Sequence, residues 1–413
     1  MPRVWRLLLR CFRTGSDKLR HLKKDLVPLR KHFDNFDIDG FLADYWQKKP
    51  LLIRNPWGAW SNPVEPDELA GLACENEVES RLITQAGTTW NVEDGPLPEA
   101  RFGKLGAAGW TLLVQAVDHY VPAVAALIAP FRFVPNWRID DVMVSLAADE
   151  GGVGPHFDQY DVFLIQGLGR RRWQVGAHCD ANTELLPHDE LRLLADFEAT
   201  DEWVLEPGDI LYVPPGVAHN GVAVGGDCMT YSVGFRAPSR AELIADYADD
   251  LTADMPDDDR YRDAGLQTQT NPGEIMPAAI AGLHAMITER LGDRNAFARW
   301  FGAYNSTPKY PDMDWKPEAP VDVGALGEMI ANGEPLTRNP ASRFSFIRQE
   351  GAGVLLFVDG ACFECTGEVA AFAEALCARD VAVVDPELTR SDVAMTLLAQ
   401  LLNQGSIAFE DDE

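Results

Sequence analysis

The chain has 413 residues, 46% apolar and 24% charged, which is enough for two or three domains with a core each. Residues 1–31 hold ten Lys/Arg against Asp17 and Asp25, so the net charge of −28 leaves 26 basic and 62 acidic residues elsewhere, a net of −36. A body that acidic repels nucleic-acid phosphates and attracts basic proteins. No apolar run reaches the roughly 18 residues of a membrane span, and seven scattered cysteines argue against a disulfide scaffold and for a reducing, cytoplasmic setting.

Met1 to Phe12 is interrupted by Arg6 and Arg10 and has no small-residue cleavage site, so it does not read as a secretory signal. Residues 1–31 are set apart as a basic N-terminal extension with no assigned function. A short helix is predicted over 37–48, stopped by Lys49-Pro50, and a strand at Leu51-Leu52-Ile53. Pro66 to Cys74 has a proline and acids in its first turn, as helices begin. Trp110 to Ile128 reads as an apolar helix broken at Pro122.

From Asp141 the chain becomes β-rich. Strands are predicted at Asp141–Leu146, Val162–Gln166, Arg170–Val175, Trp203–Leu205, Ile210–Val213 and Met229–Phe235, separated by Gly/Pro turns. This pattern fits a sandwich or barrel such as a double-stranded β-helix. After Pro238 the pattern is helical: Ser239–Leu251, Pro277–Leu291 and Arg294–Tyr304. Pro308, Pro311, Pro317 and Pro320 punctuate a linker at 307–322. The tail, 323–413, reads helix, strand, hairpin, helix, helix, a winged-helix-like order, and closes on Glu410-Asp411-Asp412-Glu413. Cys362 and Cys365 follow a predicted strand and turn. On the second strand of a hairpin they face opposite sides and make a poor zinc pair.

The chemistry is concentrated at His156-Phe157-Asp158 and at His219, 61 positions beyond Asp158. Residues i and i+2 of a strand share a face, and Gly151, Gly152 and Gly154 let the backbone turn closely before them. His219 follows Pro214-Pro215-Gly216. Two imidazoles and one carboxylate form the facial set of non-haem Fe(II) oxygenases and leave the opposite face open. Spacing alone leaves manganese, nickel and zinc open as well. His178-Cys179-Asp180 repeats the pattern, but in a polar stretch between a strand and a predicted helix, without the glycine approach. An oxygenase of this kind holds an acidic cosubstrate whose far carboxylate needs a cation. In Arg170-Arg171-Arg172, strand alternation turns Arg171 to the side opposite its neighbours.

The residues from Asp141 to Val175 resemble the JmjC-type ribosomal oxygenases, as do Trp46–Pro50, Trp137–Asp141, Glu206–Gly216 and Tyr231–Arg236. The nearest likeness is to their bacterial branch, which hydroxylates an arginine of the large-subunit ribosomal protein L-sixteen. The resemblance is strong from about residue 32 to 240 and weaker beyond. It implies a mixed α and β chain: a JmjC/cupin barrel with N-terminal helices over 32–238, a helical dimerisation region over 239–306, and a winged-helix-like domain. It places iron on His156, Asp158 and His219, and the 2-oxoglutarate carboxylate on Arg171 with Ser145 as hydrogen-bonding partner. The implied reaction consumes dioxygen and 2-oxoglutarate and hydroxylates the β-carbon of an arginine. Asp149, Glu150, Tyr160 and Asp161 are substrate candidates from their proximity to the ligands. Asp149-Glu150 is more acidic than the family pattern, and the basic extension also departs from it. Alternatives are a JmjC hydroxylase or demethylase with another protein target, or a non-catalytic metal-binding cupin. The expected partners are a basic ribosomal protein and a second copy of the chain, with no membrane and no direct nucleic-acid contact.

Overall fold

The structure, a computed structural model, describes residues 33–409 apart from Asn35 and Asp322. The basic extension and the four terminal acids lie outside the described residues. The first helix, Ile38–Asp44, starts where Asp37 accepts a hydrogen bond from the Gly40 N–H at 3.0 Å, and it buries Phe41.

One large antiparallel sheet follows. Its strands are β1 (Leu51–Ile53), β2 (Ser80–Ala86), β3 (Thr89–Asp94), β4 (Trp110–Val114), β5 (Ile139–Ala147), β6 (Val162–His178), β7 (Ala199–Leu205), β8 (Ile210–Val213) and β9 (Val217–Phe235). They run in the order β1-β8-β6-β9-β5-β4-β2-β3, with β7 on β6. The long pair β6 and β9 shifts register between Gln166 and Leu168, Leu168 and Arg170, and Val175 and His178. Such irregularities bend a strand and let a sheet curl on itself.

The run Val162–Ile165 is buried throughout because both faces of β6 are covered. Phe163 and Ile165 join a core with Phe41, Phe131, Tyr212, Tyr231 and Phe235. Val162 and Leu164 join another with Trp173, Val175, Leu211 and Val213.

One expected element is corrected. Trp110–Ile128 is not a helix: Trp110–Val114 is strand β4, hydrogen-bonded to β2 and β5. Only Pro122–Ala125 is α-helical there, flanked by the 3-10 turns Val117–His119 and Ala126–Phe131. A short apolar run without alternation fits a strand buried on both faces as well as a helix, and here pairing on both edges decides for the strand.

Three helices come next, Arg240–Ala253, Pro277–Leu291 and Arg294–Ser306. Ser239 and Glu242 form a reciprocal capping box at the start of the first. The C-terminal unit has its own core, from Leu326 to Ile407. It combines the helices Val323–Ala331, Gly367–Ala378 and Asp392–Asn403 with β10 (Pro335–Arg338), β11 (Phe344–Arg348), β12 (Val354–Val358), β13 (Ala361–Cys365), β14 (Val381–Val383) and β15 (Ile407–Phe409). These make the sheets β14-β10-β15 and β11-β12-β13. Asp359 and Gly360 turn the β12–β13 hairpin with φ of 51° and 87°. Cys362 is exposed and Cys365 buried on β13. No described helix is long and apolar enough to cross a membrane.

Candidate metal centre

The segment between β5 and β6 is where the glycines act. A Cβ on Gly151 would lie 2.2 Å from the Trp110 carbonyl oxygen, and one on Gly152 would lie 2.6 Å from that of Gly221. Gly154 adopts φ +79°. This close approach lets the segment pair with β9 through isolated bridges, Gly152 to Val222 and His156 to His219. The expected strand under His156 and Asp158 is therefore a single bridge. Asp158 lies just past it and is tied down by its carbonyl, which accepts from the Gly216 N–H at 2.7 Å. That bond joins the Pro214-Pro215-Gly216 turn to the ligand segment.

His156, Asp158 and His219 each offer one ligand atom, and these atoms all lie within 4.8 Å of one another. His219 Nε2 is 3.6 Å from Asp158 Oδ2, and the two imidazole centroids are 4.3 Å apart. Each ring has a fixed tautomer. His156 Nδ1 donates to the Gly154 carbonyl at 2.8 Å and His219 Nδ1 to that of Val217 at 3.0 Å. Both Nε2 lone pairs are thereby left for an ion, the usual arrangement behind metal-bound histidines. Burial and the neighbouring His156 push His219 down to about 4, although Asp158 pulls the other way. A neutral imidazole is the form that ligates. The donor set fits a divalent ion of the iron type with an open face.

Arg171, on β6, is 3% exposed, while Arg170 and Arg172 beside it are exposed, as strand alternation requires. Its Nη2 donates to Ser145 Oγ on β5 at 3.4 Å. Its Nε is buried with no acceptor, and it forms no ion pair among the described residues. A buried guanidinium left in this state calls for an anion. The residues present therefore fit a carboxylate-bearing cosubstrate beside the metal ligands.

Profile comparison matches a JmjC domain over residues 126–243 and a ROXA-like winged helix over 288–408. An AraC-like ligand binding domain also matches, over 198–298, which takes in all of β7 to β9 and most of the helices after them. The chain is 42% identical over 298 residues to the Escherichia coli ribosomal protein uL16 3-hydroxylase, covering 72% of this chain and 79% of that one. The X-ray structure of E. coli YcfD superposes with a TM-score of 0.84 at 36% identity, covering 92% of this chain and 100% of that chain. YcfD has also been solved in complex with cobalt and 2-oxoglutarate; that structure has a TM-score of 0.81 at 36% identity and covers 92% of this chain and 99% of its own. This chain belongs to the JmjC ribosomal oxygenases.

In this ribosomal oxygenase the four substrate candidates separate. Asp149 is half-buried and accepts from the Gly225 N–H at 2.7 Å. Glu150 is exposed, with φ 60°. Tyr160 is 43% exposed, and burial of its hydroxyl, with Asp158 nearby, raises that group's pKa. Asp161 is not at the mouth. It is fully buried and accepts from Tyr212 Oη at 2.6 Å, Gln47 Nε2 at 3.0 Å and Arg138 Nη2 at 3.1 Å. Its carboxylate organises the Trp46–Pro50 segment and β8 rather than facing a ligand.

His178 ends β6 with its ring packed under Gly216, and it joins no metal-ligand cluster among the described residues. No helix follows it; residues 180–198 form turns around a Leu185–Leu194 bridge. Sequence reading passed over Trp173. Its ring stands 6.0 Å from that of His219 and 5.8 Å from the Arg171 guanidinium carbon, and its indole N–H is buried without an acceptor. The signal was available, since Trp173 is two residues after Arg171 on the same strand face.

Proposed function

We propose that this chain is an Fe(II)- and 2-oxoglutarate-dependent hydroxylase that acts on the β-carbon of an arginine in a large-subunit ribosomal protein. The observation that carries this reading is the pairing of a 2-His-1-carboxylate set with a buried, anion-seeking Arg171 on an adjoining strand. His156, Asp158 and His219 hold the iron. Arg171 and Ser145 hold the distal carboxylate of 2-oxoglutarate, and the Trp173 N–H is a further donor on that wall. Iron held there would supply the coupling between 2-oxoglutarate decarboxylation by dioxygen, which gives succinate and CO2, and insertion of the second oxygen atom into a substrate C–H bond.

The remaining work falls to the chain itself. The fixed Nδ1–H tautomers keep both imidazoles aimed, and burial keeps water from the wall that holds the cosubstrate. Asp149 and Glu150 offer carboxylates and Tyr160 an aromatic face to a cationic side chain. The activity of the E. coli relative on uL16 supports a ribosomal substrate, and the acidic body favours a basic one; such a substrate favours a cytoplasmic setting. A second copy is the partner we infer for the helical region over 239–306. On the helix Pro277–Leu291, Ile280, Leu283, Ile287 and Leu291 form one exposed stripe at helical spacing, with Ile287 62% exposed. The net charge of the body supports a protein-contacting or structural role, rather than nucleic-acid binding, for the winged-helix-like unit at 323–413.

The test is turnover with Fe(II), 2-oxoglutarate and an arginine-containing ribosomal fragment, read by intact mass and fragment sequencing. A gain of one oxygen on arginine, lost in Asp158→Ala, is expected. Oxygen placed on histidine, loss of a methyl group, or succinate formation that ignores the fragment would overturn the substrate reading.

A further inference from the structure

A cavity of about 310 Å³ lies between the barrel and the C-terminal unit, and none of its lining residues is a metal ligand or Arg171. Four guanidiniums line it: Arg132 and Arg236 from the catalytic side, Arg338 and Arg343 from the C-terminal side. Two have carboxylate partners. Arg132 pairs with Asp380, and Arg343 with Asp140 at 2.6 Å. The other two do not. Among the described residues Arg236 and Arg338 form no ion pair and donate to main-chain carbonyls only. Arg236 reaches that of Asn305, and Arg338 reaches those of Leu376 and Cys377 at 3.1 Å and 3.4 Å. The Nε atoms of Arg132 and Arg338 are buried with no acceptor.

Asp140 and Asp380, the carboxylates that pair with Arg343 and Arg132, also act on Arg236 and Arg338 through space, so two carboxylates are shared among four guanidiniums. Asp118 accepts from the Val142 N–H, and burial together with Asp141 raises its pKa well above the usual range, so it is a poor counter-ion. Burial and Arg343 push Arg236 down to about 10, and burial also lowers Arg338. Arg236 and Arg338 are half-buried, and cations held partly out of water without a carboxylate of their own are stabilised when an anion joins them.

We propose that this cavity binds a compact phosphoryl anion, held by Arg132, Arg236, Arg338 and Arg343 and bridging the two units. Guanidinium forks match the spacing of phosphate oxygens. The volume is at the lower end for small-molecule sites, enough for pyrophosphate or the phosphate end of a mononucleotide. The Trp137 ring in the lining, 38% exposed, offers a face to a base.

The test is calorimetric titration of the full chain with inorganic pyrophosphate, adenosine monophosphate and citrate at constant ionic strength, with thermal unfolding in parallel. Saturable pyrophosphate binding that raises the unfolding midpoint is expected. Arg236→Gln and Arg132→Gln should each weaken it at least about tenfold, the effect of losing one charge-assisted hydrogen bond. Both should keep their 2-oxoglutarate turnover. Using Arg132 avoids Arg338, whose loss would also strip two carbonyl contacts. Tighter binding of the monophosphate assigns a nucleotide, and tighter pyrophosphate a free phosphate anion. Four results would overturn the proposal: no saturable binding at about millimolar concentration, binding untouched by either variant, displacement by excess 2-oxoglutarate, or citrate binding as well as the phosphates.

Discussion

His156 and His219 are joined by reciprocal backbone hydrogen bonds: the His156 N–H donates to the His219 carbonyl at 3.0 Å, and the His219 N–H to that of His156 at 2.8 Å. Two candidate ligands 63 positions apart in the sequence are thus held to each other by the main chain alone. This preorganisation rests on Gly152, because any side chain there meets the Gly221 carbonyl of β9. Gly152→Ala should push the ligand segment off β9. We expect a stability loss of about 1–3 kcal/mol from overpacking and a drop in metal affinity of about 10–100-fold. Denaturant unfolding and metal titration check the two separately. Native metal affinity in a destabilised variant would show that the bridge does not set the ligand geometry.

The tautomers of the ligands lead to a second expectation. His219 is buried and its Nδ1 is committed to the Val217 carbonyl. His219→Gln keeps a polar side chain but cannot reproduce an Nε2 lone pair backed by that bond. Asp158→Ala removes the only carboxylate of the set. Both should cut metal-dependent 2-oxoglutarate turnover by at least about a hundredfold, since even supporting residues are worth that much. Succinate formation measured across a metal titration is the readout. Turnover restored by modest excess iron would mean that the residue tunes affinity only.

At Arg171 the prediction is a split between kinetic constants. The side chain makes one weak hydrogen bond, to Ser145 at 3.4 Å, and has one buried Nε without an acceptor. Arg171→Ala should raise the KM for 2-oxoglutarate by about 10–100-fold, the value of a charge-assisted hydrogen bond, with less effect on kcat at saturation. Arg171→Lys should recover only part, because an ammonium cannot present the two-pronged donor. An unchanged KM in Arg171→Ala would assign the cosubstrate carboxylate to another group.

How far the sequence foretold this site depends on how local each feature is. The clustering of His156, Asp158 and His219 was legible because glycines, a His/Asp pair two residues apart and a Pro-Pro-Gly turn are all short-range signals. Arg171 was legible through strand alternation, which inspects one neighbour on each side. Trp110–Val114 was not, since an apolar run with no period looks the same in a helix and in a strand paired on both edges. Asp161 looked like a mouth residue because it is three positions from Asp158, but its partners Gln47, Arg138 and Tyr212 come from elsewhere in the chain. The four guanidiniums between the units gave no signal at all. Arg132, Arg236 and Arg338 are each about a hundred residues apart, and only the docking of two cores brings them together.

The last prediction concerns pH and His119, which lies beside the junction of the two units. The ring is buried, its Nδ1 has no hydrogen-bond partner among the described residues, and its Nε2 is 3.9 Å from Asp118 Oδ2. Burial, with help from the cations Arg343 and Lys309, pushes His119 down to about 3, with Asp140 opposing. The folded-state value is thus below the unfolded one, near 6.5. The neutral ring contributes its full stability above that unfolded value, and the contribution is lost as pH falls towards 3. By about pH 5 the loss is roughly 2 kcal/mol. Asp118, whose pKa is raised by burial and by Asp141, works in the opposite direction, because its folded form takes up a proton first on acidification. A difference measurement therefore isolates the histidine. His119→Phe keeps a ring against Tyr120 and Tyr310 and removes the titration. Between about pH 7.5 and about pH 5 the parent chain should lose roughly 2 kcal/mol more than His119→Phe in denaturant unfolding. Parallel profiles for the two proteins would mean that the imidazole accepts its proton without penalty, and that Asp118 rather than burial governs its charge.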